Sequence, residues 1–393
     1  MSQKARSRKG DTASKSALLR DLVKQRALGR PLQYIIGTEY FGNLEIRCRP
    51  GVLIPRQDTA TSVQRLVHAI CDAPSLPSEL RVLDLCTGTG AIPLLFHHEL
   101  YAARHNTDLR ILGVDVADEA LRLAAHNLKR VRKTKALVEK GAIGYVKADV
   151  LIDQFADLVE GAIPPLLTTL RLAKLPVFWD IIISNPPYIS PSAYWKTTTR
   201  SVRIFEPKLA LVPSAEAGRT DAERGDAFYQ PLLDIARHVE AKVVLLEVAD
   251  LDQALRVART ARAMHIFDGI EIWREQPDEP SEAAAVPEEF PVLGEGNARS
   301  VLCWRGAGTQ WLGKSSSAAD SYDDVAFPTY SSSSSWTDYV SHGQGTPLGR
   351  PINSVLFNDY QGLRQWLNER HKQRIKPQKQ RIGPQGLQME SKR

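Results

Sequence analysis

The chain has 393 residues, of which 43% are hydrophobic and 24% are charged, a composition typical of a soluble globular protein. Its formal charge of +6 is small, and basic residues concentrate near the two ends, in "KARSRKG" and "RHKQRIKPQKQR". We interpret these stretches as solvated ends and do not expect direct nucleic-acid binding. No uninterrupted apolar run reaches the length of about 20 residues that a membrane-spanning helix needs.

The cysteines are scattered along the chain and form no CxxC pair, at Cys48, Cys71, Cys86 and Cys303. This pattern predicts neither a disulfide framework nor a zinc site, and we expect no bound metal.

The N-terminal part divides into three predicted segments. Residues 1–15 are polar and without period, which predicts disorder. Residues 16–29 place leucines at helical spacing before a glycine, so we predict a short helical segment. Residues 30–57 carry aromatic and branched residues between glycines, which predicts a β-hairpin linker.

Strands and helices then alternate over residues 58–306, beginning with a predicted helix from Asp58 to about Cys71. Short apolar runs predict strands at 81–86, 110–116, 144–150, 179–184 and 242–248, followed by closing strands at 265–275 and 299–305, one of which could be antiparallel. Apolar strands separated by helical crossovers are typical of a doubly wound α/β fold with a parallel sheet.

Two further segments are predicted to lie outside this alternation. Residues 276–297 are rich in Pro, Glu and Ala and are interpreted as a long loop. Residues 307–393 are low-complexity and serine-rich, so we predict a mostly disordered tail with one short helix near "FNDYQGLRQWLNERHKQR".

A glycine-containing loop follows the first predicted strand. In chain order it presents Asp84, Cys86, Thr87, Gly88, Thr89 and Gly90. Glycines allow close backbone approach to a ligand, but the spacing lacks the full GxGxxG pattern of dinucleotide sites. A carboxylate before the loop suits a ligand with an ammonium or sulfonium group better than a pyrophosphate.

Acids also stand at the ends of the next two predicted strands. Asp115 could accept hydrogen bonds from both ribose hydroxyls of a nucleoside. Asp149 could accept from an adenine amino group while Val150 packs on the ring. Asp84 and Asp149 could instead cap the helices that follow them. The recurrence of acids at successive strand ends favours a nucleoside ligand, and S-adenosylmethionine (SAM) fits better than NAD.

The fourth strand ends in Asn185, Pro186, Pro187 and Tyr188. The Asn185 side-chain oxygen and the Pro186 carbonyl could accept the two N–H bonds of a planar amide or amine, and Tyr188 could stack on that group. We therefore interpret Asn185, Pro186 and Tyr188 as catalytic and all four residues as substrate-binding. Asn-Pro-Pro is also good turn chemistry, which is the alternative explanation of these four residues.

Together with these motifs, the chain resembles the HemK/PrmC family of release-factor glutamine N5-methyltransferases from about residue 30 to residue 306. The resemblance is carried by "RPLQYIIGTEYFG", "PGVLIPRQDT", "FEPKLAL" and "GDAFYQPLL" in addition to the glycine loop and "NPPY". It implies a Rossmann-like, seven-stranded SAM-dependent methyltransferase fold. It also implies that Cys86 to Gly90, Asp115, Val150 and Asn185 contact SAM, and that the substrate is the glutamine of a Gly-Gly-Gln loop.

The resemblance leads to further expectations. The partner would be a class I peptide chain release factor, and we expect a monomer located in the mitochondrion or cytoplasm, with the mitochondrion favoured. Two alternatives stay open: an adenine or guanine amino methyltransferase acting on RNA or DNA, and a non-catalytic binding protein that retains the fold.

Overall fold

Branched apolar residues build a central, mostly parallel β-sheet. A computed structural model describes residues 3–214, 220–279 and 289–314, with the backbone alone for residues 3–14. The strands, in chain order, are β1 Thr38–Phe41, β2 Leu44–Arg47, β3 Glu79–Leu85, β4 Asp108–Asp115, β5 Ala142–Lys147, β6 Ile181–Ser184, β7 Val243–Glu247, β8 Gly269–Gln276, β9 Val292–Leu293 and β10 Glu295–Trp304.

Helices connect and flank these strands. In chain order they are α1 Gln3–Ala27, α2 Leu32–Ile36, α3 Gln57–Cys71, α4 Ala91–Ala103, α5 Asp118–Lys133, α6 Leu166–Leu172, α7 Pro191–Lys196, α8 Arg200–Phe205, α9 Asp221–Gly225, α10 Tyr229–His238, α11 Leu251–Ala263 and α12 Ala307–Trp311, with a 3-10 turn at Lys208–Ala210. No helix among the described residues is long and apolar enough to cross a membrane.

The large sheet has the order β5-β4-β3-β6-β7-β10-β8-β9. Strands β3 to β7 pair in parallel, whereas β10 runs antiparallel to both β7 and β8. The predicted Rossmann-like fold with seven strands is confirmed, and the two-residue strand β9 adds an eighth at the edge. The strand order reverses between β3 and β6, which is where open α/β sheets bind ligands.

Burial explains why the central strands were recognisable in the sequence. All four residues of β6 and all five of β7 are buried, as expected for strands covered by helices on both faces. Helix α5 buries one face and exposes the other, so its apolar residues recur at helical spacing. The parallel pairing of β3 to β7 then places the carboxyl ends of these strands at one edge of the sheet.

The N-terminal region differs from its prediction. The sequence predicts disorder over residues 1–15 and a helix over 16–29, but α1 begins at Gln3. Polar composition limits the apolar surface that a segment can bury, yet Lys, Arg, Gln and Ala are good helix formers. The segment lacks proline, so nothing in its local chemistry ends the helix.

The predicted hairpin linker over residues 30–57 is a helix followed by a hairpin. Leu32–Ile36 form α2, which ends at Gly37 with a left-handed φ of 89°. Strands β1 and β2 then pair antiparallel, with Phe41 opposite Leu44. The hairpin therefore occupies only the middle of the predicted segment.

Residues 276–297 and 307–393, which were predicted to be a loop and a mostly disordered tail, also differ in part from those predictions. Within residues 276–297, β9 and the first residues of β10 are strands, because polar residues such as Glu295 extend the pairing with β8. Residues 280–288 lie outside the described residues. Helix α12 begins in the predicted tail, whereas residues 315–393, including the predicted short helix, are not among those described.

Candidate active site

A cavity of about 420 Å³ lies at the carboxyl ends of β3, β4, β5 and β6. This volume falls within the range of small-molecule sites. The predicted site residues that line it are Cys86, Thr87, Gly88, Thr89, Asp115, Asp149, Val150, Asn185 and Pro187. The structure therefore brings together most of the residues that the sequence predicts, around a space of the size a nucleoside ligand needs.

The glycine loop forms one wall of the cavity and leads into α4. Gly88 and Gly90 have left-handed φ angles of 53° and 76°. A Cβ atom at Gly90 would lie 2.6 Å from the hydroxyl oxygen of Tyr145 and 2.9 Å from the Cβ of Ala124. The loop can thus pack against α5 and β5 only because residue 90 is glycine.

Asp115 fixes the position of this loop. Its Oδ2 accepts a hydrogen bond from the backbone N–H of Gly88 at 2.9 Å, and its Oδ1 accepts one from Ala117 at 2.9 Å. Burial raises the pKa of the carboxyl, and these backbone bonds oppose the rise. A carboxylate has about four acceptor positions, so each oxygen keeps a position for a ligand hydroxyl.

Asp149 and Val150 form the next part of the wall, after β5. The Oδ1 of Asp149 accepts from the N–H of Leu151 at 2.8 Å, and Val150 is buried. This side-chain-to-backbone bond fixes a tight turn, and no helix begins here because α6 starts only at Leu166, so the structure does not support helix capping by Asp149. The predicted adenine contacts of these two residues stay predictions.

Asp84 differs from the other predicted ligands because it does not line the cavity. It is fully buried, and neither carboxylate oxygen has a hydrogen-bond partner among the described residues. Burial raises its pKa to about 8, and the nearby charge of Asp115 adds to the rise. The hydroxyls of Thr87 and Tyr145 are also buried without partners there. Contact of Asp84 with a ligand ammonium or sulfonium stays a prediction.

Asn185 begins a chain of hydrogen bonds that runs through Thr59, which also lines the cavity, to the buried Glu247 behind it. Its Nδ2 donates to the hydroxyl of Thr59 at 3.1 Å. That hydroxyl donates to the Oε2 of Glu247 at 2.5 Å. The Oε1 of Glu247 accepts from the hydroxyl of Tyr188 at 3.1 Å. Two residues of "NPPY" are thus joined through one carboxyl group.

Glu247 is buried at the end of β7. Burial raises its pKa to about 7, while the hydrogen bonds from Thr59 and Tyr188 and the charge of Arg299 lower it. Burial likewise raises the pKa of the Tyr188 hydroxyl, and the adjacent Glu247 charge raises it further. The hydroxyl of Tyr188 is therefore a hydrogen-bond donor to Glu247 near neutral pH.

The remaining residues of "NPPY" have different surroundings. Pro187 lines the cavity, whereas Pro186 and Tyr188 are not part of its lining. The Tyr188 carbonyl accepts from the Nε2 of Gln253 at 3.2 Å, and Gln253 also donates to Asp226 at 2.8 Å. The backbone after β6 is thus held from α11. The acceptor pair formed by Asn185 and Pro186 stays a prediction.

Glu206 joins the N-terminal linker to the segment that follows α8. Its Oε2 accepts from the N–H of Ile54 at 3.0 Å, and its Oε1 accepts from the guanidinium of Arg56 at 2.8 Å. Ile54 and Arg56 both line the cavity. The linker is therefore part of the site and is not only a connection.

Three of these residues were missed by the sequence analysis. Glu247 could have been found, because an acid within the apolar run "KVVLLEV" requires a polar partner when that strand is buried. Glu206 lies in "FEPKLAL", where the motif was noted but not the role of the acid. Thr59 is the last residue of "PGVLIPRQDT", where the motif was noted but not the role of the hydroxyl.

Among the described residues, no group of three or more His, Cys, Asp or Glu side chains could hold a metal ion. The polar side chains that line the cavity include carboxylates, threonine hydroxyls, the amide of Asn185 and the guanidinium of Arg56. They are suited to hydrogen bonding of an organic ligand.

Comparison with known proteins finds similar sequences over about half of the chain. It is 36% identical over 202 residues to the probable MRF1 mitochondrial N(5)-glutamine methyltransferase mtq1 of Schizosaccharomyces pombe, covering 51% of this chain and 58% of that protein. It is 34% identical over 197 residues to the release factor glutamine methyltransferase of Chlorobaculum tepidum, covering 49% and 56%. It is 31% identical over 196 residues to the mitochondrial MRF1 N(5)-glutamine methyltransferase MTQ1 of Saccharomyces cerevisiae, covering 49% and 52%.

Family models and solved structures give no further assignment. No protein-family model matches the chain. The N-terminal domain of human METTL16 in complex with SAH aligns with a TM-score of 0.37 at 16% identity, covering 72% of this chain and 82% of that one, a likeness too low to bear on function. The chain spans just over half the length of the three sequence relatives described above. Over about half of its length, the chain is thus similar in sequence to proteins named release factor or MRF1 glutamine methyltransferases.

Proposed function

We propose that the protein transfers a methyl group from SAM to the side-chain amide nitrogen of the glutamine in the Gly-Gly-Gln motif of a class I peptide chain release factor. The observation that carries the proposal is the position of Asn185. Its amide lines the same cavity as the glycine loop and Asp115, while its Nδ2 is bound to Thr59. The similarity to proteins named glutamine methyltransferases supports the same substrate.

The cavity residues fit SAM. Asp115 retains acceptor positions for the ribose hydroxyls, and the glycine loop allows close backbone approach. Val150 presents an apolar side chain and Asp149 an acceptor for the adenine. The volume of about 420 Å³ is of the size that such a molecule requires.

SAM, when bound, supplies a methyl group on a positively charged sulfur. That methyl group would pass to the glutamine nitrogen with cleavage of its carbon–sulfur bond, and one N–H proton of the amide would be released to water. Asn185 and the Pro186 carbonyl accept the two N–H bonds and orient the nitrogen, and Tyr188 covers the amide plane. Orientation of this kind can contribute about 7–11 kcal/mol to lowering a barrier.

The partner and location follow from the same proposal. The chain would act on a release factor as a monomer. Two relatives from yeasts are named mitochondrial, which supports a mitochondrial release factor as the first candidate substrate.

A labelled-methyl assay tests the proposal. The full chain is incubated with methyl-labelled SAM and purified release factors, mitochondrial and cytosolic, each as the wild type and with the Gly-Gly-Gln glutamine replaced by alanine. We expect label on a wild-type factor and none on its alanine variant. Label that persists on the variant, or that appears on RNA or DNA but not on a release factor, would contradict the proposal.

A further inference from the structure

We propose that Thr59 and Glu247 are positioning residues that fix which atom of the Asn185 amide faces the cavity. The inference deepens the proposed function and rests on it, because it assigns the groups that orient the amide on which the methyl acceptor is held. Thr59 comes from α3, Glu247 from the end of β7 and Asn185 from the loop after β6.

The direction of the hydrogen bonds follows from the number of protons available. A threonine hydroxyl has one proton to donate and can accept in return. When Glu247 is ionised it can only accept, so the proton of Thr59 lies in the 2.5 Å contact with its Oε2. Thr59 must then accept from Asn185, which places Nδ2 toward Thr59 at 3.1 Å and leaves Oδ1 as the atom free to accept from a substrate.

The same carboxylate also fixes Tyr188. Its Oε1 accepts the Tyr188 hydroxyl at 3.1 Å, and the backbone carbonyl of Glu247 accepts the Tyr229 hydroxyl at 3.0 Å. One ionised group therefore sets both the amide direction of Asn185 and the position of the tyrosine ring. Neither Thr59 nor Glu247 needs to touch the reacting atoms.

Protonated Glu247 would no longer fix the direction of the hydrogen bonds between Asn185, Thr59 and Glu247. The protonated carboxyl can donate to Thr59, and the hydroxyl of Thr59 can then donate to Asn185. The amide would turn to present Nδ2 to the cavity, where it repels the N–H groups of a substrate amide.

The charged and titratable groups that face Glu247 are Asp58 on α3, Arg299 on β10, Tyr188 after β6 and Tyr229 on α10. Arg299 itself pairs with Asp58 and Glu275, so it only partly offsets the cost of burying the Glu247 charge. The pKa of Glu247 near 7 places the change in the range of an ordinary activity assay.

Three variants test the proposal in the methyl-transfer assay. Thr59→Val removes the hydroxyl but keeps the side-chain shape, and we expect kcat to fall roughly 10–100-fold, as misplacement of a reacting group can cost. Thr59→Ser keeps the hydroxyl and should recover most of the wild-type kcat. Glu247→Gln keeps the shape without the charge. It should lower kcat and remove the loss of activity that we expect of the wild type as the pH falls through about 7.

The affinity for SAM, measured by calorimetry, should stay within about twofold of the wild type in Thr59→Val, because valine keeps the shape of this lining residue and the glycine loop and Asp115 are unchanged. Such a result separates misorientation of the substrate from loss of the fold. A wild-type kcat in Thr59→Val would overturn the proposal. The same loss of kcat at low pH in Glu247→Gln as in the wild type would also overturn it.

A second measurement does not need a methyl acceptor. The side-chain ¹⁵N amide signal of Asn185, identified by its loss in Asn185→Asp, should shift between pH 5.5 and 8.5 in the wild type and stay constant in Thr59→Val. This shift without transfer to any release factor would refute the proposed function and support the positioning role. Transfer with a constant wild-type signal would refute only the positioning role.

Discussion

Asn185 is the residue on which the proposed reaction depends most directly. Asn185→Ala removes the oxygen that accepts from the substrate, so we expect methyl transfer to fall by at least about 100-fold. The variant should keep its affinity for SAM within about tenfold, because the glycine loop and Asp115 remain. Transfer is measured with labelled SAM and affinity by calorimetry.

The matched control is Asn106→Ala, at an exposed position remote in sequence from the strand ends that form the cavity. It should transfer methyl groups at the wild-type rate. Full activity in Asn185→Ala would show that the amide of residue 185 does not orient the acceptor.

Cys86 carries backbone strain at the start of the glycine loop. Its φ of 67° lies in the left-handed region. This region is uncommon for any residue other than glycine, and a β-branched residue such as valine is a strong outlier there. We therefore expect Cys86→Val to lower the free energy of unfolding by about 1–3 kcal/mol. Cys86→Gly should be tolerated, because glycine adopts this φ without strain. Urea unfolding followed by circular dichroism measures both changes.

Cys71→Val is the control for the change in side-chain size, since Cys71 is half-buried at the end of a regular helix. It should change the free energy of unfolding by less than about 1 kcal/mol. Equal stability of Cys86→Val and the wild type would mean that the loop accommodates a branched side chain at this φ.

At the scale of elements, Glu206 joins the N-terminal linker to the segment after α8. Glu206→Ala leaves the buried N–H of Ile54 without its acceptor, which costs about 1–3 kcal/mol of stability. Glu206→Gln retains an acceptor for Ile54 and loses only the ion pair with the half-exposed Arg56. It should therefore cost less than about 1 kcal/mol.

The same two variants report on the cavity. Because Ile54 and Arg56 line it, SAM affinity should fall more in the alanine variant than in the glutamine variant. Urea unfolding and calorimetry give the two rankings. A larger loss of stability in Glu206→Gln than in Glu206→Ala would rule out the backbone N–H as the main partner of this carboxylate.

The sequence was sufficient to locate the elements that carry the site. Strands β3 to β7 each contain a short apolar run, and their ends or the segments that follow them supply the glycine loop, Asp115 and Asn185, so a one-dimensional pattern places these residues at one edge. It could not reveal Thr59, because its bond to Glu247 joins residues 188 positions apart. Helix α1 was misjudged for a different reason, since composition reports burial and not local helix preference.

At the scale of the whole molecule, two buried carboxyls make stability depend on pH. Burial raises the pKa of Asp84 to about 8 and that of Glu247 to about 7, above the values of about 4 expected in an unfolded chain. The folded protein therefore binds these protons more tightly than the unfolded chain. Their contribution to stability is complete at pH values below about 4 and is lost as the pH rises to about 8.

Asp84→Asn isolates the larger of these contributions. Between pH 5 and 8, the free energy of unfolding falls as the pH rises, by up to about 1.4 kcal/mol per pH unit for each proton that only the folded state holds. The asparagine variant lacks the Asp84 proton, so its stability should fall less steeply than that of the wild type as the pH rises. Urea unfolding of the SAM-free protein at several pH values measures the two slopes.

Asp157→Asn replaces an exposed carboxylate in the loop before α6 and should leave the wild-type slope unchanged. Parallel slopes for Asp84→Asn and the wild type would instead mean that Asp84 is ionised in the fold across this range. Its charge would then need hydrogen-bond donors, and the hydroxyl of Thr87, which lowers the pKa of Asp84 and has no other partner among the described residues, is placed to be one. The slope therefore decides whether this carboxyl is neutral behind the glycine loop or charged and poised for a cationic ligand.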